Sequence, residues 1–211
     1  MKAKIVSIKK IKLSMNVLKE AVDVMKKGGL IICPTETCYG IGADATNIEG
    51  IQKIYKIKGR DPTKPIPILV SNLNMIKKYG VITKKIEFLV KKFMPGPLSI
   101  ITKKKRPISD INQKGISFRI SSHVVASMLV KLLRKPITTT SANISGQPPI
   151  YEINKIIDFF EDKVDMILDY GDLPKTKPST CIEMVSDSGV KIIREGPIPG
   201  EEIFKELKKM G

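Results

Sequence analysis

Apolar residues along this chain fall into short runs rich in isoleucine and valine, and these alternate with stretches of helical period. The segments "KIVSI" (4–8), "GLIICPT" (29–35), "PIPILVS" (65–71), "PLSIITK" (97–103) and "GISFRIS" (115–121) read as strands by length and β-branched content. "KPITTTSA" (135–142), "DMILD" (165–169), "TCIEMVS" (180–186) and "VKIIRE" (190–195) read the same way. The last two are separated by little more than "DSG", the turn chemistry of a hairpin.

Between the strands, residues able to start a helix stand ahead of apolar positions spaced three or four apart. Ser14 can cap a helix from Met15 to Lys27, with Val17, Leu18, Ala21, Val24 and Met25 on one face and Gly28-Gly29 at its end. Asn47 can cap one from Ile48 to about Ile57, and Thr83 one over "KKIEFLVKKF", stopped by Met94-Pro95-Gly96-Pro97. Ser122 precedes "HVVASMLVKLL", and Glu201 to Met210 form a terminal helix. Mixed strands and helices, with no repeat and no Pro/Ser/Gly-rich linker, predict one α/β domain over residues 1–211 on a twisted mixed sheet.

Composition narrows the class. A chain of 211 residues buries about 70% of its unfolded surface, so it needs no disulfide or metal staple. Cys33, Cys38, Cys181 and the single His123 make no zinc-like spacing, and Cys33 and Cys38 read as small buried thiols beside a strand. No segment approaches the roughly 18 consecutive apolar residues of a membrane span. The N-terminus alternates basic and apolar residues, unlike a signal peptide, so a cytoplasmic protein without a membrane partner is expected. The net charge of +16 favours nucleic acid, nucleotides or phosphates, although lysine scattered along the whole chain also suits a solvated surface. Lys103 to Arg106 mark an exposed loop or strand end.

The chain has no P-loop, no G-x-G-x-x-G after a strand and no G-x-S-x-G. With one histidine, any catalysis should depend on positioning and charge stabilisation. Four stretches suit that task. In "CPTETCYGIGADATN" (33–47) a strand ends at Pro34-Thr35, and hydroxyls, a carboxylate and glycines follow; a plain turn accounts for it equally well. In "KIKGRDPTKPIPILV" (56–70) Lys58 and Arg60 flank a glycine just past a helix, which suits a phosphate clamp or a complement to the helix dipole. Arg119 interrupts an apolar strand, with Ser117 on the same face, and needs an anionic partner from the protein or a ligand. In "TTTSANISGQPP" (138–149) Thr138, Thr139, Thr140, Ser141, Asn143 and Ser145 crowd donors and acceptors together, with "KPSTCIE" (177–183) and "IIREGPI" (192–198) downstream. His123, at a helix start, reads as a cap or packing residue.

As a set, "PTETCYGIGADA", "KIKGR…PIPILV", "MPGPLSIIT", "FRISSH", "TTTSANISG", "PSTCIE" and "IIREGPI" resemble the YrdC/Sua5/TsaC family, in order and at similar intervals. The resemblance covers roughly residues 15–200, and Lys58-Gly59-Arg60 and Ser141-Ala142-Asn143 are its most telling marks. It implies a twisted mixed sheet with flanking helices around a large, basic, concave cavity. The implied activity joins L-threonine, bicarbonate or CO₂, and ATP into threonylcarbamoyl-AMP and pyrophosphate, for the t6A modification of tRNA. It also implies roles for particular residues. Lys58 and Arg60 would hold the triphosphate, Ser141 and Asn143 phosphate or magnesium-linked oxygens, and Ser117 and Arg194 the nucleotide. Thr35, Arg119, Thr139 and Ser179 would hold threonine, with Arg119 on its carboxylate.

Mg²⁺ is implied by the triphosphate and not by a ligand cluster. The product would pass to a t6A transferase complex (KEOPS, if the lysine- and isoleucine-rich composition marks an archaeal source), and the charge also suits tRNA or double-stranded RNA. Two departures bear on loops near the site: Asp61 separates Arg60 from Pro62, and "DYGDLPKTKPST" (169–180) is less glycine-rich than usual. The length matches the short form of the family, without the Sua5 C-terminal domain. Alternatives are an RNA-binding or ribosome-assembly module of the same fold, and a paralogue of the YciO or hydrogenase-maturation type. The Lys58/Arg60 and Ser141/Asn143 pairs favour the synthase, and 5% aromatics with no tryptophan offer little for stacking RNA bases.

Overall fold

Two mixed sheets, not one, carry the β-branched runs. The computed structural model describes residues 2–8, 14–105, 108, 115–185 and 189–210. The first sheet has the order β1 (Lys4–Ser7), β9 (Met166–Asp169), β2 (Ile31–Pro34), β3 (Tyr39–Gly42), β8 (Thr140–Ser141). The second runs β11 (Val190–Arg194), β10 (Thr180–Met184), β5 (Leu98–Lys103), β6 (Gly115–Arg119), β4 (Ile68–Leu69), β7 (Ile137–Thr138).

The run expected as one strand over 135–142 explains the division. It crosses from β7 in the second sheet to β8 in the first, and Thr139 between them donates its N–H to the Pro67 carbonyl (2.8 Å). β10 and β11 pair antiparallel as expected, while the centre of the "DSG" turn lies outside the described residues. Arg106, in the basic run, lies outside them too.

Seven helices are seen among the described residues: α1 (Met15–Lys26), α2 (Ile48–Lys58), α3 (Leu73–Lys77), α4 (Lys84–Phe93), α5 (Val124–Leu133), α6 (Ile153–Phe160) and α7 (Gly200–Lys208). In β2 the alternation of side chains sends Ile31 and Cys33 to a core with Leu18 and Met25 of α1 and Leu129 of α5. Ile32 points the other way, to Ile54 of α2 and Phe160 of α6. β2, at the centre of the first sheet, is therefore buried on both faces, as its unbroken apolar run requires, while β1 at the edge stays largely exposed. The second sheet packs Ile100 and Phe118 against Ile86 and Leu89 of α4 and Ile203 of α7. No helix among the described residues is long and apolar enough to cross a membrane.

Helix starts follow the expected chemistry in part. Asn47 Oδ1 accepts from Gly50 N (3.1 Å) and Thr83 Oγ1 from Ile86 N (3.3 Å). Ser14 stands at the N-cap of α1 but makes no side-chain cap bond. His123, not Ser122, caps α5: its Nδ1 accepts from Val125 N (3.3 Å), and its ring meets Tyr170 edge-on at 4.9 Å. Replacing Asn47 with alanine is expected to lower stability by about 1 kcal/mol, read as a lower urea midpoint at unchanged slope.

Candidate active site

A cavity of about 310 Å³ lies between the sheets. The first sheet supplies Gly40 of β3, Ser141 of β8, and Thr35, Thr37 and Cys38 from the loop joining β2 to β3. Ser99 of β5, Ser117 and Arg119 of β6, Cys181 of β10 and Arg194 of β11 come from the second. Thr139 lines it at the point where the chain changes sheets, and Arg60, Tyr151 and Ser179 enter from loops. Thus Thr35, Arg60, Ser117, Arg119, Thr139, Ser141, Ser179 and Arg194 come together in the wall of this one cavity. Lys58 and Asn143 are not part of that wall.

Lys58 sits behind it, 1% exposed, at the end of α2. Gly59 adopts the left-handed conformation (φ 56°), which ends the helix and directs Lys58 inward while Arg60 continues to the cavity. The Lys58 ammonium donates to Ser141 O (2.6 Å), Asn143 O (2.8 Å) and Asn143 Oδ1 (2.7 Å), using all three of its protons. Burial, then the nearby charge of Arg60, push its pKa down to about 8. Asn143 Oδ1 also accepts from Ser141 Oγ (2.7 Å), and Ser145 N donates to Lys58 O (2.9 Å). Lysine and the Ser-Ala-Asn turn therefore form one latch.

The arginines are held differently. Arg60 donates to Pro65 O (2.8 Å) and Lys64 O (3.3 Å). Asp61 does not cancel its charge: that carboxylate accepts from Thr63 N (2.9 Å) and Thr63 Oγ1 (2.7 Å), bonds that hold its pKa below the usual range. Arg194 grips the Ser179 carbonyl through Nη2 (2.9 Å) and Nε (3.2 Å), and Ser179 Oγ meets Ser99 Oγ at 2.9 Å. Arg119 is almost fully buried, and the protein supplies an anion for it: Nη1 lies 2.9 Å from Glu36 Oε1. Its Nε is buried with no hydrogen-bond partner among the described residues.

Sequence reading assigned no individual role to Glu36, Thr37, Ser99 or Tyr151, although Glu36 and Thr37 lie in the stretch singled out over 33–47. Glu36 had a signal, since a buried arginine demands a carboxylate and Thr-Glu-Thr alternates. Tyr151 had none. Its hydroxyl donates to Thr176 O (2.8 Å), and Thr176 Oγ1 donates to Thr37 O (2.7 Å). These bonds tie the less glycine-rich 169–180 segment to the cavity floor. Cys38 lines the cavity and is only half-buried, contrary to the expected packing role. Burial pushes the Cys38 thiol up and the Cys33 thiol up to about 12, so neither is a thiolate at neutral pH.

A family profile for Sua5/YciO/YrdC, described as "Telomere recombination", matches residues 23–196. The chain belongs to this family. Among Sua5/YciO/YrdC relatives, a Methanocaldococcus jannaschii protein provisionally named threonylcarbamoyl-AMP synthase is 38% identical over 192 residues, covering 89% of this chain and 91% of its own. Threonylcarbamoyl-AMP synthase of Pyrococcus abyssi is 31% identical over 90% of this chain, which spans 57% of that longer relative. The structure of P. abyssi Sua5 complexed with L-threonine superposes with a TM-score of 0.89 at 28% identity, over 96% of this chain and 60% of that one. YciO of Escherichia coli shares the family fold at a TM-score of 0.86 and 24% identity, over 95% of this chain and 99% of its own.

Proposed function

We propose that this protein is an L-threonylcarbamoyladenylate synthase, making threonylcarbamoyl-AMP and pyrophosphate from L-threonine, bicarbonate or CO₂, and ATP for t6A modification of tRNA. The observation that carries this reading is the single cavity that gathers Arg60, Ser141 and Arg194 with Arg119, Thr35, Thr139 and Ser179. Two anionic reactants need such a shared, cation-lined space.

The chemistry asks for no protein nucleophile. The threonine amine attacks CO₂, forming an N–C bond and releasing a proton to solvent; from bicarbonate, that proton leaves with the displaced hydroxide as water. A carbamate oxygen then attacks the α-phosphorus, and the bond to the β-phosphate oxygen breaks with its electron pair leaving on pyrophosphate. The protein's part is to align the reactants and neutralise charge as it builds. Arg60 and Arg194 take the phosphates, and Arg119, which lines the cavity, takes the threonine carboxylate. Ser141 donates inward to Asn143 as it stands, so bonding a phosphate oxygen requires its hydroxyl to rotate away from that partner. Lys58 acts on the triphosphate through the Ser141–Asn143 turn it holds.

No group of three or more His, Cys, Asp or Glu able to hold a metal occurs among the described residues, and no carboxylate lines the cavity. Mg²⁺ would enter as part of the ATP substrate, on phosphate oxygens. The product is an activated mixed anhydride, so a t6A transferase must collect it, KEOPS in an archaeal cell. The +16 charge of the chain suits direct contact with tRNA during that hand-over. The deciding assay incubates the protein with Mg²⁺, ATP, bicarbonate and radiolabelled L-threonine and follows pyrophosphate and labelled nucleotide adduct. Pyrophosphate release that ignores threonine would sink this reading.

A further inference from the structure

Three arginines line the cavity, and their own partners divide them into two kinds. Arg60 and Arg194 donate to main-chain carbonyls of Lys64, Pro65 and Ser179, which orient a guanidinium without cancelling its charge. Arg119 meets a carboxylate, at 2.9 Å from Glu36 Oε1, in an ion pair whose side chains are 6% and 13% exposed. Among the described residues no other cavity arginine has an ion pair.

Glu36 is itself built into place. Thr35 and Thr37, on either side of it, line the cavity, while Glu36 does not. Its Oε2 accepts a short hydrogen bond from Ser121 Oγ, which in turn accepts from His123 N (3.2 Å) ahead of α5. The carboxylate is held beside the guanidinium by Ser121 and by the ion pair, and both its Oε1 and Arg119 Nε are buried without a hydrogen-bond partner among the described residues.

From this arrangement we infer that Glu36 is a specificity-determining residue that sorts the two anionic reactants within one cavity. It cancels the charge of Arg119 and leaves Arg60 and Arg194 charged. A lone guanidinium attracts a polyphosphate more strongly than it attracts a carboxylate, because the attraction grows with the ligand's charge. A guanidinium already paired offers direction without net charge. Where it lines the cavity it suits the single carboxylate of an amino-acid zwitterion, and a polyanion there would face the buried charge of Glu36. Arg119 is thereby reserved for threonine, and ATP or pyrophosphate is kept to the other two arginines. The inference rests on the reading of threonine and ATP as substrates.

The test is an equilibrium titration of L-threonine into the full chain, with and without saturating inorganic pyrophosphate. In the wild-type protein pyrophosphate should change threonine affinity by less than about twofold. In E36Q, which keeps an acceptor for Arg119 but removes the charge, pyrophosphate should weaken threonine binding by at least about tenfold. A merely structural role would weaken threonine equally with and without pyrophosphate. Should E36Q fail to fold, E36D keeps the charge one methylene further back and must retain the wild-type insensitivity. Pyrophosphate-insensitive E36Q, pyrophosphate-sensitive E36D, or wild-type protein that loses threonine to pyrophosphate each overturns the sorting while the proposed activity stands. A wild-type protein that binds no threonine even without pyrophosphate overturns the proposed function, and the sorting with it.

Discussion

Lys58→Ala should lower threonine-dependent pyrophosphate release by about 10²- to 10³-fold, the scale of losing one preorganised charge-stabilising group, yet change stability little. The alanine takes the ammonium from Asn143 O, at roughly 1–3 kcal/mol if that carbonyl stays dry, while Ser141 O still accepts from Asn143 N and Asn143 Oδ1 from Ser141 Oγ. Against this, removing a buried charge recovers a folding cost. At about 1.4 kcal/mol per pH unit, the gap between the ordinary 10.5 and a folded value of about 8 comes to ~3 kcal/mol at neutral pH. The two contributions are of similar size and opposite sign, whereas the Ser141–Asn143 turn loses its side-chain tether and keeps only the main-chain bond from Ser145 N to Lys58 O.

The same residue separates stability from activity along the pH axis. Its folded pKa lies below its unfolded value, so the folding cost is fully present below pH 8 and fades as pH rises toward 10.5. Over that window the wild-type protein should gain stability relative to K58A in urea melts. Activity should move the other way. A neutral amine donates two hydrogen bonds instead of three, so the pH–rate profile should fall on an alkaline limb near pH 8. A flat profile through that region would show that the latch does not depend on the ammonium.

Arg119→Ala should have the largest combined effect. It strands the Glu36 carboxylate beside a buried void, at about 3–5 kcal/mol of stability, and it removes the proposed partner of the threonine carboxylate. The KM for threonine should rise by roughly 100-fold and that for ATP by less than about threefold. Adding Glu36→Gln in the same chain removes the stranded charge. The double variant should recover most of the lost stability and none of the threonine affinity. If the KM for ATP rose instead, Arg119 would belong to the nucleotide.

Where the sequence was legible, the signal was local. The runs that became β2, β5, β6, β10 and β11 declared themselves by β-branched content, and Asn47 and Thr83 by their place ahead of an apolar stripe. β3 was missed because "YGIG" carries two glycines. It forms through pairing with β2 and β8, and its glycine positions allow close approach: a Cβ at Gly42 would lie 3.1 Å from Ile31 Cγ1. α6 was missed because nothing caps it locally; Ile153 N donates instead to Asp172 Oδ1 (2.8 Å), nineteen residues away. The site followed the same division. The motifs gathered eight wall residues, but that Lys58 stands behind the wall and that Arg119 is paired depend on contacts between distant segments.

The passage of residues 137–141 from one sheet to the other has a mechanical consequence. The two sheets that form the cavity share a continuous piece of backbone, pinned at Thr139 to Pro67, and the segment from β9 to β10 joins them again, itself tied to the first sheet's side by Tyr151 and Thr37. Walls stitched together in this way cannot swing apart like jaws without tearing a strand. Substrate capture must therefore be local, through side chains and the loops at the rim, and the distance between the proposed threonine and phosphate stations is set when the chain folds.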